Sequence, residues 1–189
     1  DDNSKCILYA PTWRPSHHPN QKKFPLEFMQ DFDYFSLNEW LSNNNIYLFI
    51  SGHDLSNKDY SINDLSHFIY LEKDDLFDIN LVLPEFDFLV TDYSSIATDY
   101  MLMMRPVIYY MPDYNFYLNK YGLLEDIEKN MPGPKVKNME DLKNIVLEIS
   151  ESENENQKLI YSYLNKYYDL NHTNSCLEFS NFITEIITN

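Results

Sequence analysis

Short apolar runs alternate along this chain with stretches of helical period. Cys6-Ile7-Leu8-Tyr9-Ala10 predicts a first strand, stopped by Pro11, whose ring fixes φ and removes a donor. A Pro-, His- and Lys-rich loop follows over 14–25. Residues 37–45 predict a helix leading into a second strand, Ile46-Tyr47-Leu48-Phe49-Ile50, and 67–71 a third. Asp74 and Asp75 open a predicted helix that runs through about Leu83, since carboxylates are favourable at a helix start. Phe86-Asp87-Phe88-Leu89-Val90 and Pro106-Val107-Ile108-Tyr109-Tyr110 read as the fourth and fifth strands. Between them, 95–104 must be the crossover helix. From Met139 onward the pattern is helical, with a polar break around Ser152-Glu153-Asn154-Glu155-Asn156. Strand and helix in this alternation predict an α/β domain on a parallel sheet with flanking helices.

Bulk properties narrow the picture. With 189 residues and 44% hydrophobic content, the chain can bury one core, so residues 1–189 read as a single domain ending in C-terminal helices over 139–189. A net charge of −16 argues against a nucleic-acid or anionic-membrane surface, because both would repel it. Cys6 and Cys176 are far apart and have no metal-ligand spacing. Two buried, reduced thiols in a cytoplasmic protein is the reading, with a disulfide as its alternative. No apolar run is long enough to cross a bilayer, and no signal peptide opens the chain. Asp1-Asp2-Asn3-Ser4 stands directly before a strand without a starting Met, as expected of a piece of a longer protein.

Candidate chemistry gathers where strands end, because open parallel sheets bind ligands beyond their carboxyl ends. The fourth strand runs into Thr91-Asp92-Tyr93-Ser94-Ser95. Ser94 is placed to cap the next helix, and the free N–H groups after it can attract a phosphate, with two hydroxyls as further donors. The alternative is that Ser94 only caps and Ser95 is a spectator. Asp99 lies one turn after Ser95 on the same helix face, where it can accept from a ribose diol or simply face solvent. His53, in Ser51-Gly52-His53-Asp54, follows the second strand and could stabilise charge developing on a diphosphate; a structural role is its alternative. Thr12-Trp13-Arg14 brings a cation to the same edge. Arg105 reads as a helix-end cation. Met131-Pro132-Gly133-Pro134-Lys135 is a rigid turn that either delivers Lys135 to the pocket or merely reverses the chain. His17 and His18 lack companions at metal spacing, so no metal and no cofactor is assigned.

In order along the chain, Ile7-Leu8-Tyr9-Ala10-Pro11-Thr12-Trp13-Arg14, Thr91-Asp92-Tyr93-Ser94-Ser95-Ile96, Asp99-Tyr100, Arg105-Pro106-Val107-Ile108-Tyr109 and Pro132-Gly133-Pro134 resemble the C-terminal half of the CDP-glycerol glycerophosphotransferases, the teichoic acid and capsule polymerases. The resemblance covers residues 5–137 and weakens beyond. It implies a Rossmann-like sheet forming the C-terminal, donor-binding half of a GT-B fold, within a larger two-domain enzyme. It implies a CDP-activated polyol, CDP-glycerol or CDP-ribitol, as donor. Arg14, Asp92, Ser94, Ser95, Asp99 and Lys135 would bind it, and His53 would be catalytic. Asp99 stands seven residues before Pro106-Val107, the spacing of the acidic ribose ligand in many GT-B enzymes. The implied reaction is attack by a polyol hydroxyl on the β-phosphorus, with CMP leaving. The acceptor, a polyol-phosphate polymer or lipid-linked primer, would bind through a separate N-terminal half. The resemblance also implies a cytoplasmic enzyme, held peripherally on the inner face of the bacterial membrane by other parts of the protein.

The sequence departs from the family after the second strand, where Arg-x-His-Pro is usual and Ser51-Gly52-His53-Asp54 stands instead. Losing a charge-assisted phosphate contact costs about 1.5–3 kcal/mol unless Arg14 or Lys135 replaces it. Because the resemblance places the acceptor site and a proposed catalytic base in the N-terminal half, the isolated chain is expected to bind nucleotide weakly and to turn over nothing alone. Three other readings compete. One is a GT-B glycosyltransferase domain using a nucleotide sugar such as a UDP-sugar. Another is a signalling module phosphorylated on Asp92, which lacks the companion carboxylates and lysine it would need. The last is a degenerate domain kept for assembly.

Overall fold

The nearly unbroken apolar character of the predicted strands has its cause in a parallel sheet covered on both faces. The computed structural model describes residues 4–12, 33–51, 65–71, 78–149, 153–168 and 174–188. Six strands lie in it: β1 (Lys5–Tyr9), β2 (Ile46–Ile50), β3 (Phe68–Tyr70), β4 (Phe88–Thr91), β5 (Val107–Tyr110) and β6 (Lys135–Val136). Their order is β3-β2-β1-β4-β5-β6, and every neighbouring pair is parallel. The chain builds outward from β1 in one direction, then returns beside β1 and builds outward in the other. The direction of winding thus reverses between β1 and β4, which is the switch point where such sheets open a crevice. This is the Rossmann-like sheet expected.

Successive strand residues point to opposite faces, and the two halves of the core follow that alternation. Ile7, Tyr9, Leu48, Ile50, Val90 and Ile108 pack under α1 (Tyr34–Asn43) and α5 (Met139–Ile149). Leu8, Leu89, Val107 and Tyr109 face the other way, against α2 (Ile96–Met101) and α6 (Glu153–Leu164). Each large apolar side chain so buried contributes about 1.5–3 kcal/mol.

Several boundaries differ from those predicted. Helix α1 starts three residues earlier than expected, because the Asp33 carboxylate accepts from the Phe35 amide at 2.9 Å and caps it. The helix expected from Asp74 to about Leu83 is absent from its described part. Residues 79–85 form two 3-10 turns, Ile79–Leu81 and Leu83–Glu85. Asp78 bonds the Asn80 amide locally at 2.9 Å, and Pro84 cannot supply the helical donor. Asp74 and Asp75 lie outside the described residues. Helix α2 ends at Met101, three residues short, where the chain turns toward left-handed Met104 (φ 59°).

Helices α3 (Tyr114–Tyr121) and α4 (Ile127–Asn130) and the short edge strand β6 were not anticipated. The C-terminal region is helical as expected: α5 stops at Ile149 and α6 begins at Glu153, with α7 (Ser175–Thr188) last. Helix α7 buries none of its residues and exposes Leu177, Phe179, Phe182, Ile186 and Ile187. Both cysteines are free as expected, but neither is buried: Cys176 is exposed on this helix and Cys6, at the start of β1, is half-buried.

Candidate donor-binding edge

At the switch point, polar side chains sew the carboxyl ends of β1 and β4 together. The Thr91 hydroxyl donates to the Ala10 carbonyl at 2.7 Å, and the Ala10 amide donates to Val90 at 3.0 Å. One residue on, the Asp92 carboxylate accepts from the Thr12 amide at 2.7 Å and the Tyr93 amide at 2.5 Å. Asp92 is only 1% exposed. A carboxylate so deeply buried is tolerable only when hydrogen-bonded. Its observed place is therefore beneath the edge, fixing the Thr12 and Tyr93 backbones.

What Asp92 holds in place is the turn that follows. Ser94 was expected to cap the crossover helix; instead the helix starts at Ile96, with Ser95 in the capping position and no side-chain capping bond. The carbonyls of Ser94 and Ser95 accept from Ala97 and Thr98, at 3.3 and 2.9 Å. The Ser95 hydroxyl is thus not consumed by its own helix. Ser94 is half-buried, while Ser95 and Asp99 are exposed one turn apart. Helix α2 has six residues, too few for a strong dipole, so recognition of an anion here must rest mainly on local amides and hydroxyls. Asp99 lies close enough to Tyr168 to push that phenol's pKa up, after the larger effect of burial.

The neighbouring strand adds groups that the pattern of the sequence did not single out. The Tyr93 hydroxyl donates to Asp113 at 2.9 Å, just beyond β5. The Tyr93 ring stacks on Tyr117 of α3 with centroids 3.8 Å apart. Applying the strand-end rule to β5 would have found Asp113, which follows Met111-Pro112.

The remaining predicted residues divide. Arg14 and His53 lie outside the described residues. Their loops nevertheless leave from this edge: Thr12 is held by Asp92, and the Ser51 amide donates to the Tyr9 carbonyl at 2.9 Å. Arg105 is anchored to backbone, donating to Phe86 at 2.6 Å and also to Pro84. Lys135 opens β6, the edge strand, and its amine donates to the Met131 carbonyl and stands 5.6 Å above the Tyr109 ring. Burial lowers its pKa. It lines a cavity whose described walls include none of residues 91–99, while the sheet register sets Lys135 level with Tyr109 of β5 and, one strand further, Thr91 of β4.

Among the described residues, no group of three His, Cys, Asp or Glu side chains could hold a metal, and no helix is long and apolar enough to cross a membrane.

Residues 1–185 match the family model of CDP-glycerol:poly(glycerophosphate) glycerophosphotransferases. The chain is 35% identical over 139 residues to a teichoic acid poly(glycerol phosphate) polymerase of Bacillus spizizenii, covering 73% of this chain and 34% of that protein. It is 31% identical over 168 residues to a teichoic acid poly(ribitol-phosphate) polymerase of the same organism, covering 88% and 26%. The solved wall teichoic acid polymerase TagF superposes with a TM-score of 0.74 at 21% identity, over 100% of this chain and 44% of that one. The chain thus spans less than half the length of each.

Proposed function

The chain belongs to the CDP-glycerol:poly(glycerophosphate) glycerophosphotransferase family, and we propose that it is the donor-binding half of a GT-B transferase moving a polyol phosphate from a CDP-activated polyol in teichoic acid synthesis. The observation that carries this reading is the Ser94, Ser95 and Asp99 group. It projects from the β4 edge at the switch point, over a backbone locked by Asp92. In it Ser94, Ser95 and nearby amides hold the diphosphate while Asp99 accepts from the ribose hydroxyls. Arg14 and His53 are proposed to come from the loops after β1 and β2, with His53 stabilising charge on the departing CMP. An acceptor hydroxyl attacks the β-phosphorus, forming a new P–O bond as the bond to the CMP oxygen breaks, and the hydroxyl proton passes to a base on the acceptor side. Catalysis of this kind is mainly positioning and charge neutralisation. The acceptor, a polyol-phosphate polymer or its lipid-linked primer, would be held by a second half. That half would also carry any attachment to the inner face of the membrane.

Calorimetric titration of the full-length protein with CDP-glycerol, CDP-ribitol and a UDP-sugar tests the reading. A CDP-polyol is expected to bind at least tenfold more tightly than the UDP-sugar, with Asp99→Asn weakening it. Preference for the UDP-sugar would contradict the proposal.

A further inference from the structure

A cavity of about 540 Å³ lies on the flank of β6, and none of residues 91–99 is among its described walls. Its walls are the turn 131–134 that leads into the strand, the end of α5 and one side of α6. Its chemistry runs against the rest of the chain. The protein carries a net charge of −16, yet among the described residues this lining holds Lys129, Lys135 and Lys166 with one carboxylate, Glu148. Lys129 is neutralised by Asp126 at 2.7 Å. Lys135 and Lys166 make no ion pair among the described residues.

Lys135 is the more telling of the two. Lys135 is half-buried; its contacts are the Met131 carbonyl and the Tyr109 ring face, and the Glu128 carboxylate also acts on its charge. A partly desolvated ammonium with no carboxylate in direct contact gains more from an incoming anion than a surface lysine does. Ser162, Tyr163 and Asn156 also line the cavity and add neutral polar side chains to it. The volume falls in the range of small-ligand sites and exceeds what a bare phosphate ion would fill.

We propose that this flank cavity binds a phosphodiester-linked polyol segment, with Lys135 and Lys166 on its phosphates and the hydroxyl and amide groups on its polyol. The assignment rests on the polyol-phosphate reading above and gives the chain a second, separate place for the anionic polymer. Such a site would retain product without occupying the donor edge.

The test is binding of a short synthetic glycerol-phosphate oligomer to the full-length protein, followed by calorimetry, with inorganic phosphate and CDP-glycerol titrated in parallel. Lys166 is exposed, so K166Q should fold normally. It should weaken oligomer binding about tenfold, the size of one charge-assisted contact, and leave CDP-glycerol affinity unchanged. Lys135→Gln should weaken the oligomer at least as much, and Lys135→Arg should retain it. Oligomer affinity untouched by both glutamine variants would overturn the assignment, as would inorganic phosphate binding as tightly as the oligomer. Failure of every CDP-polyol to bind, with lysine-dependent oligomer binding intact, would instead remove the donor reading and leave the cavity assigned.

Discussion

Two turns in this molecule stand beside strands, and both carry polar residues that sequence reasoning assigned to one ligand. The turn after β4 belongs to a central strand and leaves its carboxyl end at the switch point. The turn before β6 belongs to an edge strand and enters its amino end. The first is braced from below by a buried carboxylate and turns its serines outward. The second is braced by backbone fit: Gly133 has φ 106°, and a Cβ there would collide with the Val107 carbonyl. Its lysine is turned into a flank cavity. Residue type suggests a phosphate ligand at both; the register sets Lys135 level with Thr91 but two strands along the sheet.

The strongest way to break this comparison is to remove each brace. Asp92→Ala strips the acceptor from two backbone amides, and is expected to cost about 3 kcal/mol or more of stability along with donor binding. Gly133→Ala should cost about 2 kcal/mol or more, from collision and left-handed strain combined. It should disturb oligomer binding more than donor binding. Denaturant melts of both variants, with titrations of each ligand, check the two claims together.

A next test uses alkaline pH. Burial raises the pKa values of Tyr100, Tyr109 and Tyr110 above the usual 10. Unfolded, these phenols ionise near pH 10, while the native state keeps them protonated. Their contribution is therefore complete below pH 10 and is lost as pH rises through and beyond it. Each adds a slope of about 1.4 kcal/mol per pH unit. Removing single hydroxyls separates the regions again. Tyr100 donates to the Phe86 carbonyl at 2.6 Å, so Tyr100→Phe should cost about 1 kcal/mol. The Tyr109 hydroxyl is buried with no partner among the described residues, so Tyr109→Phe should be neutral or stabilising, as read by urea midpoints.

Much of the framework was legible in the sequence for physical reasons. Strands β1, β2, β4 and β5 are buried on both faces, so they must be apolar runs, and such runs are visible. The Thr91 to Ser95 turn was legible because a strand end and a helix start meet there. Other elements left weaker marks. Strand β6 is two residues long, too short for any periodicity, so Lys135 could be placed only as part of a turn. Asp92 resembles its polar neighbours in sequence, and only its 1% exposure separates a brace from a surface ligand. The pairing of Tyr93 with Asp113 spans 20 residues and depends on β4 and β5 lying side by side.

Smaller effects on stability sharpen the account where effects on binding are large. Ser95 and Asp99 are exposed, so Ser95→Ala and Asp99→Asn should each change stability by less than about 0.5 kcal/mol. The most direct measurement is therefore CDP-glycerol affinity in the full-length protein carrying Asp99→Asn, set beside its melting curve. The account predicts an affinity about tenfold weaker on an unchanged melt. Unchanged affinity would contradict the placement of the donor at the β4 edge.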